Sequence, residues 1–377
     1  MNTYRSWYSI ICTAALVCAL LWLQAPANAV PSFARRAGGA SCSMCHWHQN
    51  ALNATGKDFL RRGLRLAGEE ANALAAELKM SQYASLVLAP NLSAVGDSTK
   101  FSGGEAILWL GGPIDSRFSA LAETEFVVDD EAVAVEEIYA QYVSGPGDKY
   151  YSARVGQFQP MLLLSQVSGP PRLSLSRPEA LSGRATNGNG FRPRDRVRGV
   201  EFGAVNDSIA AYLGIGNGQG QNADDNHMDI YATVEHDIGS EGSSIGVYGY
   251  WGEAVLAGGF RDSYNRYGII GNYTGGSNRV VGGILFGNND DPGGADLDNS
   301  GWFIELAHVV RPETAVYARW DRFSRDLAAG GERETDGPTL GVSWITSALT
   351  RINLEGQWLD TDGSNIDSIT AELQIAL

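Results

Sequence analysis

From residue 81 to its end, the chain falls into segments of about ten residues that alternate apolar and polar side chains and are separated by turn residues. The final segment, SITAELQIAL, places Ile369, Ala371, Leu373, Ile375 and Leu377 on one face and Thr370, Glu372 and Gln374 on the other. The segment before it, TRINLEGQW, sets Ile352, Leu354 and Trp358 against Arg351, Asn353, Glu355 and Gln357. A period of two marks a strand, because successive side chains leave a strand on opposite faces. Alternation alone suits a soluble sandwich or a membrane barrel, since it does not say which face meets which medium.

The spacing predicts about sixteen strands. They lie near 84–95, 101–111, 117–127, 134–142, 151–158, 198–205, 208–216, 228–238, 244–253, 265–274, 279–287, 301–310, 314–323, 339–346, 350–358 and 368–377. Short connections (GGPIDS, NDS, GGSN, RPE, TSAL) alternate with long polar ones (NGQGQNADDN, GNNDDPGGADLDNS, SRDLAAGGERETDGP). Aromatic residues gather near segment ends: Tyr248, Tyr250, Trp251, Tyr264, Tyr267, Trp302, Tyr317, Trp320, Trp344 and Trp358. Short turns on one side, long loops on the other and aromatic girdles describe a bacterial outer-membrane barrel. The predicted fold class is therefore all-β, a transmembrane antiparallel β-barrel of about sixteen strands over 81–377, embedded in outer-membrane lipid. An even count brings both barrel termini to the periplasmic side. Leu377 keeps the alternation where many such chains end in Phe or Trp.

Arg5, the apolar stretch IICTAALVCALLWL and the small-x-small Ala27-Asn28-Ala29 read as a secretory signal over 1–29. An uncleaved anchor is the alternative, for which the stretch is short; no later apolar run reaches the roughly 18 residues a membrane helix needs. Removal of the signal takes away Cys12 and Cys18 and leaves Cys42 and Cys45. The net charge of −15 argues against a nucleic-acid partner.

The two remaining cysteines stand in CSMCH, residues 42–46. C-x-x-C-H is the attachment signature of c-type haem: the thiols add to the vinyl groups and the histidine ligates iron. A zinc site would need further ligands at suitable spacing, and a redox pair would need a βαβ context; neither is visible. One haem c is thus expected, held covalently by Cys42 and Cys45 with His46 as proximal ligand. Met80 follows the expected helix GEEANALAAELK and is the candidate distal ligand, the plain alternative being that it packs. His48 is too near His46 to reach the opposite face but can contact a propionate; His227, His236 and His308 are remote in sequence. The segment 30–80 is small for an independent domain, and a barrel of about sixteen strands has a wide lumen. The haem segment is expected to enter that lumen and plug it.

The connection from Gln159 to Val197 is the longest and carries Arg184, Arg192, Arg194 and Arg196, with Arg198 just beyond. It is expected to fold inward, its arginines holding anions, propionates or lipid phosphates, or pairing with lumen acids. The other outer connections carry Asp224, Asp225, Asp290, Asp291, Asp296, Asp298, Glu332, Glu334, Asp336, Asp360 and Asp362. These carboxylates suit gathering a cation such as ferrous iron, or serve only as solvated loops.

Pro31-Ser32-Phe33-Ala34-Arg35, then Cys42 to His46, then Gly56-Lys57-Asp58-Phe59 resemble the opening of the fused monohaem cytochrome–porins of bacterial outer membranes. The likeness covers about 35 residues, a stretch specific enough to carry the attachment motif. It departs at Arg36, where Gln is more usual, and in the segment after His46. The resemblance implies outer-membrane electron transfer: an extracellular donor, Fe²⁺ in the best known members, gives one electron through the haem to a periplasmic cytochrome or copper protein. Such an iron:cytochrome c oxidoreductase needs no acid–base pair. Two other readings stand beside it: a solute porin with a haem-containing periplasmic appendage, and electron export to an external acceptor.

Overall fold

The computed structural model describes residues 31–39, 41–48, 51–67, 80–127, 132–144, 147–165, 170–218, 227–294, 296–347 and 349–377. The expected signal, the expected helix over 68–79, and Asp224 and Asp225 lie outside the described residues.

Sixteen strands form one closed barrel in which each pairs with its sequence neighbours and the last pairs with the first. The first eight are β1 (Ala84–Val95), β2 (Ser98–Pro113), β3 (Phe118–Val127), β4 (Ala132–Val143), β5 (Lys149–Phe158), β6 (Val197–Asn206), β7 (Ile209–Gly216) and β8 (Asp229–Ile238). They are followed by β9 (Ser243–Val255), β10 (Arg261–Gly275), β11 (Asn278–Asp290), β12 (Asp296–Arg311), β13 (Thr314–Asp326), β14 (Glu332–Ser347), β15 (Thr350–Thr361) and β16 (Ser364–Ala376). Every segment read from the alternation is a strand. The seam runs antiparallel from Ser368 opposite Val95 to Ala376 opposite Val87. Leu86 and Leu377 complete it with a reciprocal pair of main-chain hydrogen bonds, 3.0 and 2.7 Å. Pro90 sits where the β1–β2 register shifts between Ala89 and Asn91, a place that does not call for its missing N–H.

The side-chain distribution resolves what alternation left open. Outward positions are apolar and exposed, among them Phe202, Leu213, Ile230, Ile269, Ile284, Ile304 and Leu340. Inward positions hold buried charge and polarity: Arg154, Glu201, Asp229, Glu235, Glu305, Arg319, Asp321 and Glu355. An apolar exterior around a polar interior is the inverse of a soluble sandwich and matches a barrel set in lipid. Among the described residues no helix is long and apolar enough to cross a membrane; the strands cross instead.

Two expectations are corrected. Tyr248, Tyr250, Tyr264 and Tyr317 were expected in the aromatic girdles but are buried on the inner wall. Three of the four phenol hydroxyls find acceptors there: Tyr250 and Tyr264 both donate to Asp229 (2.6 and 2.7 Å), and Tyr317 donates to Glu355 (2.9 Å), while that of Tyr248 has none among the described residues. Trp251, Tyr267, Trp302, Trp320 and Trp358 do face outward. Second, the outer connections are not uniformly long. β1 and β2 join through Gly96-Asp97, and β15 and β16 through Asp362-Gly363. The last pair has φ of +52° and +80°, the positive values a tight two-residue hairpin turn demands. Polar stretches expected as loops pair instead, so Asp296 and Asp298 lie in β12 and Glu332, Glu334 and Asp336 in β14. Polar side chains do not prevent main-chain pairing beyond the lipid band.

Ile284, 52% exposed at the middle of β11, tests the lipid-facing assignment. Ile284→Arg is expected to cost about 2–4 kcal/mol of barrel stability in bilayers. Denaturant unfolding from liposomes measures this, and a neutral substitution would contradict the outward face.

Candidate functional site

Chain entry to β1 and exit from β16 lie at one end of the barrel, together with the turns 114–117, 207–208, 239–242, 276–277 and 312–313. The N-terminal segment packs inside this end. It comprises α1 (Pro31–Arg36), a helical turn Cys42–Met44, a short antiparallel pair His46–His48 with Ala51–Leu52, and α2 (Ala54–Arg61).

Asn53 ties α2 to the C-x-x-C-H turn. Its side chain caps the helix by accepting from the Gly56 N–H at 3.0 Å. Its amide donates to the carbonyls of Ser43 and Met44, both at 3.1 Å, and its own N–H donates to the Cys45 carbonyl at 3.0 Å. A side chain at Gly56 would collide with that same Cys45 carbonyl, so the helix lies this close only because residue 56 is glycine. Phe33 and Phe59 meet edge to face at 5.2 Å. The Arg36 guanidinium covers both rings at 5.4 and 5.6 Å. The residues on either side of the motif that carry the resemblance therefore form one packed unit.

Four charges dock this unit on the wall. Lys57 and Arg61, one turn apart on α2, face Glu235 and Asp237 on the lower part of β8. Lys57 pairs with both acids, at 2.5 Å for Asp237; Arg61 reaches Asp237 at 2.5 Å and Glu235 at 3.0 Å. Lys57, Arg61 and Glu235 are all buried. Ser165 joins them, accepting from Arg61 at 3.1 Å and donating to Glu235 at 2.6 Å. Arg65 adds bonds to the carbonyls of Asp115, Ser116 and Phe118 in the β2–β3 turn. Neither pair of residues was singled out in the sequence. The available signal was two cations four apart on a helix and two acids two apart on a strand.

The expected site residues sit as follows. Cys42 opens the helical turn, and its side chain lies outside the described residues. Cys45 is half-buried and forms no disulfide; burial raises its thiol pKa. His46 is half-buried at the start of its short strand. His48 is 4% exposed, and burial together with the Arg351 charge lowers its pKa to about 4, so its ring is neutral near pH 7. Met80 opens the turn Met80–Gln82 just before β1, and its side chain too lies outside the described residues. Arg35 binds that turn to α1 through the carbonyls of Ser81 (2.5 Å) and Ala84 (3.2 Å). His236 and His308 point to the outer face, and His227 pairs with Glu253 at 3.0 Å; none is brought to the motif. Among the described residues no three His, Cys, Asp or Glu side chains gather as a metal-binding group.

The connection between β5 and β6 folds inward as expected. Its main-chain N–H groups, which would otherwise be orphaned, donate to wall carboxylates. Met161 donates to Glu201 (3.0 Å), Leu173 to Glu305 (2.6 Å), Leu175 and Ser176 to Glu355 (2.7 and 2.9 Å), and Glu179 to Asp321 (3.3 Å). Phe191 packs on Tyr250 and Tyr264. One buried apolar cluster joins Leu60 and Leu64 of the N-terminal segment, Leu163, Leu164 and Leu181 of the loop, and the wall tyrosines. Arg196 pairs with Glu136, and Arg192 with Asp195 at 2.7 Å. The rim acids are also engaged: Glu334 with Arg322 (2.5 Å), Asp362 with Arg333 (3.0 Å) and Asp298 with Asn288 (3.0 Å).

A closed sixteen-strand barrel with an apolar exterior, a polar interior and a long inward loop has the architecture of an outer-membrane porin barrel. Solved structures agree. The chain is similar to an anion-selective porin from Comamonas acidovorans, with a TM-score of 0.62, 13% identity, and coverage of 78% of this chain and 98% of that one. It is similar to the loop-deleted OmpT of Vibrio cholerae, with a TM-score of 0.61, 13% identity and coverage of 78% and 98%. The outer-membrane channel DcaP of Acinetobacter baumannii gives a TM-score of 0.59, 9% identity and coverage of 83% and 100%. At these identities the likeness is one of fold. No family model and no curated protein matches the chain.

Removing Glu235 leaves two buried cations facing one partly exposed carboxylate. Glu235→Ala is expected to weaken docking of the N-terminal segment by roughly 3–5 kcal/mol. Limited proteolysis in intact outer membranes reads this as faster cleavage within the segment while the barrel stays folded.

Proposed function

We propose that the chain is an outer-membrane electron conduit in which a c-type haem, joined to Cys42 and Cys45 and ligated by His46, is housed inside the barrel. The observation that carries the reading is the docking of the C-x-x-C-H segment on the inner wall through Lys57, Arg61, Glu235 and Asp237. The residues present fit the group. Two cysteines stand three positions apart in a tight turn, Cys45 has a free thiol, and an imidazole follows directly. Such a haem supplies one-electron chemistry with a potential set by its ligands and surroundings. Asn53 and Gly56 hold the turn, whose Ser43 and Met44 are exposed while Cys45 and His46 are half-buried. The donor is an extracellular reductant, Fe²⁺ by resemblance, and the acceptor a periplasmic cytochrome or copper protein, with both barrel termini on the periplasmic side. Rim carboxylates are proposed to concentrate a cationic donor.

Export of Cys42→Ser and Cys45→Ser chains tests the attachment. Wild type is expected to keep haem through denaturing electrophoresis, and the double variant to lose it; an unstained wild type would sink the reading. Anaerobic Fe²⁺ is then expected to produce the reduced haem spectrum in wild type. Met80 is proposed as the distal ligand, so Met80→Ala should lower the midpoint potential, since thioether ligation raises it. An unchanged potential would remove Met80 from the ligand set.

The porin fold favours a second reading, a solute porin with a haem-bearing appendage. Planar-bilayer conductance separates the two. A filled lumen passes little current, and release of the segment by Glu235→Ala increases it; high current through the wild type favours the porin.

A further inference from the structure

We infer that Arg279, on the inner wall of β11, seats a propionate of the haem. The inference rests on the haem attachment proposed above and assigns the barrel wall, not the cytochrome segment, a direct part in holding the group.

Arg279 is 1% exposed and stands at the short-turn end of β11. It faces the segment that carries Cys45 and His46. Its Nη2 donates to the Leu52 carbonyl at 3.2 Å, and its guanidinium lies 5.6 Å over the Trp47 ring. Trp47 is itself fixed by donating to the Gly276 carbonyl at 2.9 Å. Nε and Nη1 of Arg279 have no acceptor among the described residues. A guanidinium stays charged in proteins, so burying one with open donors is unfavourable unless an anion completes it. The acid on the neighbouring strand, Glu305, spends its oxygens on the N–H groups of Leu173 (2.6 Å) and Ser174 (3.3 Å). His48, the neighbour of Trp47 with its ring 6.4 Å from the indole, also has a buried nitrogen, Nε2, without a partner among the described residues.

The open donors of Arg279 thus lie beside Leu52 and Trp47, residues close to the attachment motif. What fits is a planar acceptor that takes parallel N–H bonds, a carboxylate. A haem held at Cys42 and Cys45 would supply two such carboxylates. A free small carboxylate has the same chemistry and is the competing source. With a propionate seated there, the fixed positive charge of Arg279 raises the haem potential and keeps the propionate ionised.

The test uses the full haem-loaded chain in lipid nanodiscs, as wild type, Arg279→Gln and Arg279→Lys. Midpoint potential is measured against pH, and infrared difference spectra are taken on haem carrying ¹³C at the propionate carboxyls. Wild type is expected to give a labelled carboxylate band that does not titrate across the neutral range. Arg279→Gln is expected to lower the potential and make it pH-dependent, with the labelled band now titrating; Arg279→Lys is expected to retain most of the wild-type behaviour. A haem-loaded Arg279→Gln matching wild type in potential, pH dependence and labelled bands would overturn the inference and leave a free anion in the fork. If Arg279→Gln does not accumulate, the wild-type band decides, and ordinary carboxylic-acid titration overturns it. A wild type exported without haem removes both this inference and the parent reading, and is told apart by its lack of colour.

Discussion

Main-chain hydrogen bonding in a medium without water governs this molecule. Each strand that crosses lipid must pair on both edges, because an unmatched N–H or C=O there has no solvent to turn to. A sheet meets that condition only by closing. The pairing of β16 with β1, finished by Leu86 and Leu377, is therefore the step on which the other fifteen pairings depend. Closure also fixes the two surfaces, since a one-residue slip would turn every apolar side chain inward.

Closure creates a second problem, a lumen lined with carboxylates. The protein meets it by filling the space with chain rather than with ions alone. Backbone N–H groups of the inward loop satisfy Glu201, Glu305, Glu355 and Asp321, and the cations of α2 satisfy Glu235 and Asp237. Wall acids and inserted segments are thus partners in one network, so the N-terminal segment is a built part of the interior. The apolar cluster that Leu60, Leu64, Leu164 and Phe191 share with the wall adds burial to that charge network.

The sixteen strands were legible because lipid and lumen impose a period of two that nothing else in the segment opposes. Strand ends were less so: Asp296 to Asn299 and Glu332 to Asp336 look like loop and yet pair, because pairing beyond the membrane band depends on the partner strand. The tyrosines misled for a related reason. Tyr250 and Tyr264 have an amphipathic side chain suited to an interface, but Asp229 across the wall offers their hydroxyls a buried acceptor.

By itself the sequence determined the class of fold and the position of the C-x-x-C-H motif, because both rest on local spacing: two residues per strand repeat, and C-x-x-C-H within five. Only the tertiary structure decided what meets that motif. Lys57 and Glu235 are far apart along the chain, as are Leu52 and Arg279, and barrel closure sets which wall residues face the inserted segment. Contacts of that kind depend on the curvature and register of the whole sheet, which no single stretch of residues encodes.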